Sequence, residues 1–124
     1  MTKMRHLKGK GKYDYDYIND ILFFKVKDRE YVRSIEFSNM VFDIDLEDFI
    51  VGMQIFEASK FLHIPKMYLK DIPKWNCNFT IKNGIVEINL FFQVSMRNKI
   101  IEKNPIIQQP TELPNSQISI AVPA

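Results

Sequence analysis

A chain of 124 residues, 46% of them hydrophobic and 26% charged, is long enough for one domain that buries roughly two-thirds of the surface its unfolded form exposes. The single Cys77 excludes an intramolecular disulfide and fits a reducing compartment, and no apolar run reaches the roughly 18 residues of a membrane span. The basic start leads into glycine and lysine rather than an apolar stretch, so no signal peptide is predicted and a cytoplasmic setting is expected. The formal net charge of +2 hides a segregation. Residues 1 to 12 carry +5 with no acid, residues 13 to 58 carry −7, and residues 59 to 124 carry +4. Such asymmetry steers association with polyanions or with oppositely charged protein patches. The first block, Lys3, Arg5, Lys8, Lys10 and Lys12, reads as a flexible basic leader spanning residues 1–12.

Strands are predicted next, in chain order. Tyr13, Tyr15 and Tyr17 alternate with Asp14 and Asp16; after a short break, Leu22, Phe24 and Val26 alternate with lysines. Tyr31 to Phe37 alternates more weakly. Met40, Phe42 and Ile44, then an acidic turn, then Val51, Met53 and Ile55 complete an expected meander of about five strands. From Glu57 to Asp71 the apolar spacing is closer to helical, and Pro65, which cannot occupy a helix interior, divides it into two short helices with Pro73 ending the second. Phe79 and Ile81, then Asn83-Gly84, then Val86, Ile88 and Leu90 form the strongest local signal, a hairpin closed by a two-residue turn.

Beyond Asn104 the prolines Pro105, Pro110, Pro114 and Pro123 predict an extended, edge-bound or disordered tail over residues 104–124. Ile118, Ile120 and Val122 suit a short edge strand, which an oligomer could donate to a neighbour. The expectation is thus a single α+β domain over residues 13–103, mostly antiparallel sheet with a short kinked helical insert, between a leader and a tail.

Tyr15-Asp16, Asp20, Leu22 and Phe23, followed by Val41, Asp43, Asp45, Ile50-Val51-Gly52-Met53, Ile55, Ala58 and Ser59, resemble the small domain of unknown function numbered 2283. That pattern is a Tyr-Asp pair, an Asp before Leu-Tyr, and an Asp-x-Asp turn into Ile-Val-Gly. The resemblance covers residues 13–59, with longer archaeal members similar around Ser59 to Leu69 and Arg97 to Pro105. Two positions depart from it. Asp48 stands where the family turns on Gly, which implies a left-handed turn residue, and Phe23 replaces a Tyr. The resemblance implies a β-rich cytoplasmic protein with no established activity, and, through short bacterial members, an antitoxin-like partner of a small basic protein.

Chemistry-bearing groups give no catalytic signature, and no cofactor or metal is predicted. Asp43, Asp45, Glu47 and Asp48 superficially follow a calcium loop, but Asp48 and Gln54 occupy the positions where an EF-hand needs Gly and a bidentate Glu. Asp14 and Asp16 alternate away from the tyrosines and should face water, while Asp16, Asp20 and Asp43 would suggest an enzyme only if enclosed in one pocket. His6 and His63 are isolated, and Cys77 reads as a packed structural thiol. The leading expectation is a non-enzymatic, self-associating interaction module, a dimer by preference, with contacts at Ile106, Ile107, Ile118 and Ile120. The alternative is an RNA- or ribosome-associated factor using Lys3, Arg5, Lys8, Lys10 and Lys12 with a helical stripe of Lys66, Lys70 and Lys74.

Overall fold

The computed structural model describes residues 4–72 and 74–122. Ten strands, β1 (Arg5–Asp16), β2 (Ile21–Val26), β3 (Tyr31–Phe37), β4 (Met40–Asp45), β5 (Ile50–Phe56), β6 (Lys74–Lys82), β7 (Ile85–Met96), β8 (Lys99–Lys103), β9 (Ile106–Pro110) and β10 (Ser116–Val122), accompany two short helices, α1 (Ala58–Leu62) and α2 (Lys66–Leu69). The strands join in the order β3-β4-β5-β2-β1-β10-β6-β7-β8, with β9 pairing β7 beside β8. The pairing of β1 with β10 is parallel and the other described pairings are antiparallel. The molecule is therefore mostly β, with a mixed sheet. No described helix is long and apolar enough to cross a membrane.

The basic leader expected over residues 1–12 is, from Arg5 onward, the first half of β1; Lys3 lies outside the described residues. Its period-two pattern is His6, Lys8, Lys10 and Lys12 outward against Leu7, Gly9, Gly11 and Tyr13 inward, and the two glycines disguise it in the sequence. At Gly9 the inner face of β1 comes close to Val26 of β2: a Cβ there would lie 3.1 Å from its Cγ1 and would make that side chain shift. Residues 5–10 pair with β10, and residues 11–16 with β2. One strand thus belongs to two sheet halves.

The expected five-strand meander is also corrected. β3, β4 and β5 are sequential neighbours, but β5 then pairs with β2, leaving β3 at the edge. This return is a Greek-key arrangement, and it explains why β3 alternates weakly: its one-sided exposure leaves only Ile35 and Phe37 against the core. Gly52 on β5 lets the Asp43 side chain lie across it, since a Cβ at Gly52 would sit 2.9 Å from Asp43 Oδ2 and 3.2 Å from the Phe24 carbonyl. β6 and β7 are joined by Asn83-Gly84, both at positive φ, and Arg97-Asn98 makes a second two-residue turn of that kind into β8.

The tail differs most from expectation. β9 lies along the first half of β7 at the sheet margin, where Pro110 can end it without breaking a central ladder. β10, by contrast, is interior, paired to β1 on one side and β6 on the other. Ile118 and Ile120 are 0% and 1% exposed, so these two residues belong to the core and not to an interface.

The sheet curls so that its halves share one core. Phe79 on β6 meets Phe42 on β4 edge-to-face at 6.0 Å and Phe24 on β2 at 6.3 Å. Trp75 stacks on Phe92 at 5.1 Å and receives Phe24 and Tyr13 edge-on. Such ring contacts add to the burial of large apolar area. Cys77 is wholly buried in this layer, and burial pushes its thiol well above the ordinary value. The helices close one end, with Pro65 at the N-cap of α2 and the Tyr13 hydroxyl accepting the Ile72 amide at 2.8 Å. Pro73, expected to stop the second helix, lies outside the described residues. Because β10 is flanked by ladders on both sides, deleting residues 116–124 is expected to abolish the cooperative urea transition; a truncated chain that unfolds with an unchanged midpoint would refute its interior role.

Candidate functional site

The outward side chains of β1 form a line that the strand geometry fixes. Lys8, Lys10 and Lys12 recur every second residue, about 6.8 Å apart, and all three are exposed. Lys12 stands directly opposite Lys25 of β2, and the Lys27 amide donates to the Lys10 carbonyl at 3.0 Å, so a second lysine backbone flanks the first. Lys12, Lys25 and Lys27 border a shallow depression of about 290 Å³ with Asp28 at its rim. Among the described residues the ion pairs belong to Arg29 and Arg33, and these five lysines enter none. The sequence reading placed Lys25 and Lys27 outward but did not join them to the basic group. Their partnership depends on the β1–β2 register.

Beside this line lies a second, larger hollow on the outer sheet face. Its volume is about 560 Å³, and Lys8, Lys10, Asn76, Asn78, Ser119 and Ala121 border it. Its origin is simple. Here the middle strand β10 presents the small Ser119 and Ala121 outward, while the flanking strands present long lysines on one side and asparagines on the other.

The other expected polyanion contacts scatter. Arg5 faces inward: its guanidinium lies 4.2 Å from the Phe49 ring centre, and it donates to the Glu47 and Asp48 carbonyls, closing the β4–β5 turn. The expected stripe of Lys66, Lys70 and Lys74 does not exist as one helix face, because α2 ends at Leu69 and Lys74 begins β6. Lys66 and Lys70 instead converge on Tyr17, the first donating to its carbonyl at 3.2 Å and the second 4.2 Å from its ring centre. Ile106 is 57% exposed on β9, and Ile107 packs partly against the core.

The acids of the sequence pattern turn out to be internal fasteners. Asp20, 7% exposed and at φ 56°, accepts from the Tyr15 hydroxyl at 2.6 Å, the Ser59 amide at 3.0 Å and the Ser59 hydroxyl at 2.6 Å. Burial opposes its ionisation, but the donors from Ser59 and Tyr15 outweigh that penalty and hold the carboxyl below the usual range. Tyr15 responds in the opposite sense: burial and the Asp20 carboxylate push its phenol well above the ordinary value. Asp16 is held low by the Asn19 side chain and amide, at 2.8 and 3.1 Å.

Asp45 accepts the Glu47 and Phe49 amides at 3.0 and 2.9 Å and Arg29 Nη1 at 2.6 Å, which folds the turn in which Asp48 takes the left-handed φ of 62°. Asp43 accepts from Ser34 on the neighbouring strand at 2.8 Å. Asp16, Asp20 and Asp43 therefore occupy separate settings, Asp16 and Asp20 at the β1–β2 hairpin end and Asp43 over the β4–β5 ladder. Sequence alternation could not reveal that Asp20 reaches across to Ser59, because that contact is set by the sheet order.

Replacing Asp20 with Asn keeps a residue that tolerates left-handed φ but removes the charge, and is expected to cost roughly 1.5–3 kcal/mol at neutral pH. The sign follows from the lowered folded value: the carboxylate's contribution is complete above the unfolded value of about 3.9 and is lost as pH falls through the folded one. Urea titrations of both proteins should therefore begin to draw together only below about pH 4 and meet as pH falls through the lowered folded value. A gap that persists there would refute the assignment.

Among known proteins, the chain is similar to a Methanosarcina mazei protein named "Putative hypoxanthine phosphoribosyltransferase", 29% identical over 92 residues, which are 74% of this chain and 75% of that protein. It is also similar to an uncharacterized protein of Methanocaldococcus jannaschii, 27% identical over 100 residues, covering 80% of this chain and 86% of that one. No solved structure matches significantly. The Tyr15–Asp20–Ser59 clasp, the Asp43–Gly52 crossing and the Asp45 turn all lie within residues 12–59, and it is these residues that match the family described as "Protein of unknown function (DUF2283)", as the sequence resemblance implied.

Proposed function

We propose that the chain is a non-enzymatic interaction module whose basic sheet face takes a polyanion, in the manner of an RNA- or ribosome-associated factor. The observation that carries this reading is the opposition of like charges across β1 and β2, Lys12 against Lys25 with Lys10 and Lys27 next along the ladder. Like charges directly opposite one another destabilise a strand pair, and an anion bound over them removes that cost. The acidic half of the chain gives the antitoxin-like reading less support, since Asp20, Asp43, Asp45 and Asp48 are engaged by the chain's own hydroxyls, amides and arginines. The same engagement weighs against carrying over the transferase name of the Methanosarcina relative, because general acid–base work needs a carboxyl free to exchange protons with a substrate. A buried free Cys77 suits a cytoplasmic setting.

The test is binding of inorganic polyphosphate across a salt series, with Lys12→Glu/Lys25→Glu as the variant. Wild-type affinity should fall steeply with salt, and the double reversal should lower it more than tenfold and reduce the slope by about one per lysine. Equal affinity in the two proteins would overturn the reading.

A second reading, self-association, rests on the sheet margin opposite β3. Ile100 on β8 and Ile106 on β9 are 72% and 57% exposed on strands whose outer edges are unpaired among the described residues. Unpaired edges bearing apolar side chains are templates for pairing with another chain. Replacing both isoleucines with lysine is expected to lower the mass found by light scattering toward that of one chain without changing the melting temperature; an unchanged mass would remove this edge from any interface.

A further inference from the structure

We infer that the polyanion is a single-stranded nucleic acid, laid with its phosphates along Lys8, Lys10 and Lys12 and its bases over the outer face of β10, β6 and β7. This rests on the polyanion reading above and adds what charge alone does not supply, a surface suited to bases. Strand register sets two rows running outward from the lysines. One is Lys8, Ser119, Asn78 and Asn89; the other is Lys10, Ala121, Asn76 and Phe91. Adjacent strands lie about 4.8 Å apart, so each row places a cation, a small residue, an amide and then a further amide or an aromatic ring across roughly 14 Å.

Each step of a row has a use. The lysine meets the backbone phosphate, and the small Ser119 and Ala121 leave the trough of about 560 Å³ in which a base can lie. The Asn76 and Asn78 amides carry both donors and acceptors, as base edges do. Neither side chain hydrogen-bonds another group among the described residues, whereas Asn89 already donates to Glu87 at 3.1 Å. Phe91 lies partly buried on this outer face, while its neighbours Leu90 and Phe92 fill the core. An aromatic ring not claimed by the core, three strands from a lysine line and separated from it by Ala121 and the Asn76 amide, is the arrangement on which a splayed base stacks. Duplex fits worse, because the bases that would meet Phe91 are stacked inside the helix.

Fluorescence anisotropy would be measured for oligouridylate and oligoadenylate about ten nucleotides long, for a duplex of the same length, and for displacement of each by inorganic polyphosphate. The inference expects single strands to bind at least tenfold more tightly than duplex. It also expects Phe91→Ala and Asn78→Ala each to weaken single strands about five- to tenfold while leaving polyphosphate binding unchanged, and Phe91→Trp to restore stacking. Melting curves of the variants would establish that they fold. If duplex and polyphosphate bind as well as single strands and the Phe91 and Asn78 variants change nothing, the base platform is overturned and the charge-based reading stands. If no probe binds wild-type protein, both fall.

Discussion

The double pairing of β1 is the constraint on which the rest depends. Its first half completes a parallel ladder with β10 and its second half an antiparallel ladder with β2, so one strand holds both halves of the sheet in register. A strand with two partners in two directions must bend and approach its neighbours closely, and Gly9 supplies the room. Once β1 is set, Phe24 and Trp75 are brought edge-to-face at 5.1 Å from different halves, and the Tyr13 hydroxyl reaches the end of the helical segment. Slipping β1 by one residue would exchange its lysines and tyrosines between water and core.

The same alternation sorts charge by role. Asp20 and Asp45 are drawn inward to hydroxyls, turn amides and an arginine, whereas the lysines of β1 and β2 stay outward. Carboxylates are suited to the inward role because two oxygens can accept several donors that turns and caps leave unsatisfied. The net charge near zero therefore describes the outer face of this protein poorly. The outer face of β1 and β2 gathers Lys8, Lys10, Lys12 and Lys25, a local excess that the total conceals.

Local pattern was legible and long-range order was not. Most strands, both short helices and the Asn83-Gly84 turn follow from spacing and residue type, since they are settled within a few residues, and the left-handed Asp48 followed from the family resemblance. β1 before Tyr13 was hidden by glycine at its inward positions, and β8 by the weak turn signal of Arg97-Asn98. The prolines near β10 suggest an edge, yet Pro105 and Pro114 fall in connections and Pro110 ends β9, so none of these interrupts β10 itself. Candidate residues divide the same way. Lys8, Lys10 and Lys12 were found from composition, while Lys25, Lys27, Asn76, Asn78 and Ser119 join them only through a register no local window contains.

The parallel ladder also has a kinetic meaning. Arg5 pairs with Ser116, more than a hundred residues away along the chain, so this contact is among the last that a growing or refolding chain can make. Until β10 docks, the first half of β1 has an open flank of unsatisfied amides and carbonyls, the kind of surface on which chains aggregate. Lysines spaced along such a flank repel a second copy of themselves. The residues proposed to hold a ligand in the finished protein would thus act earlier as its guard against mispairing.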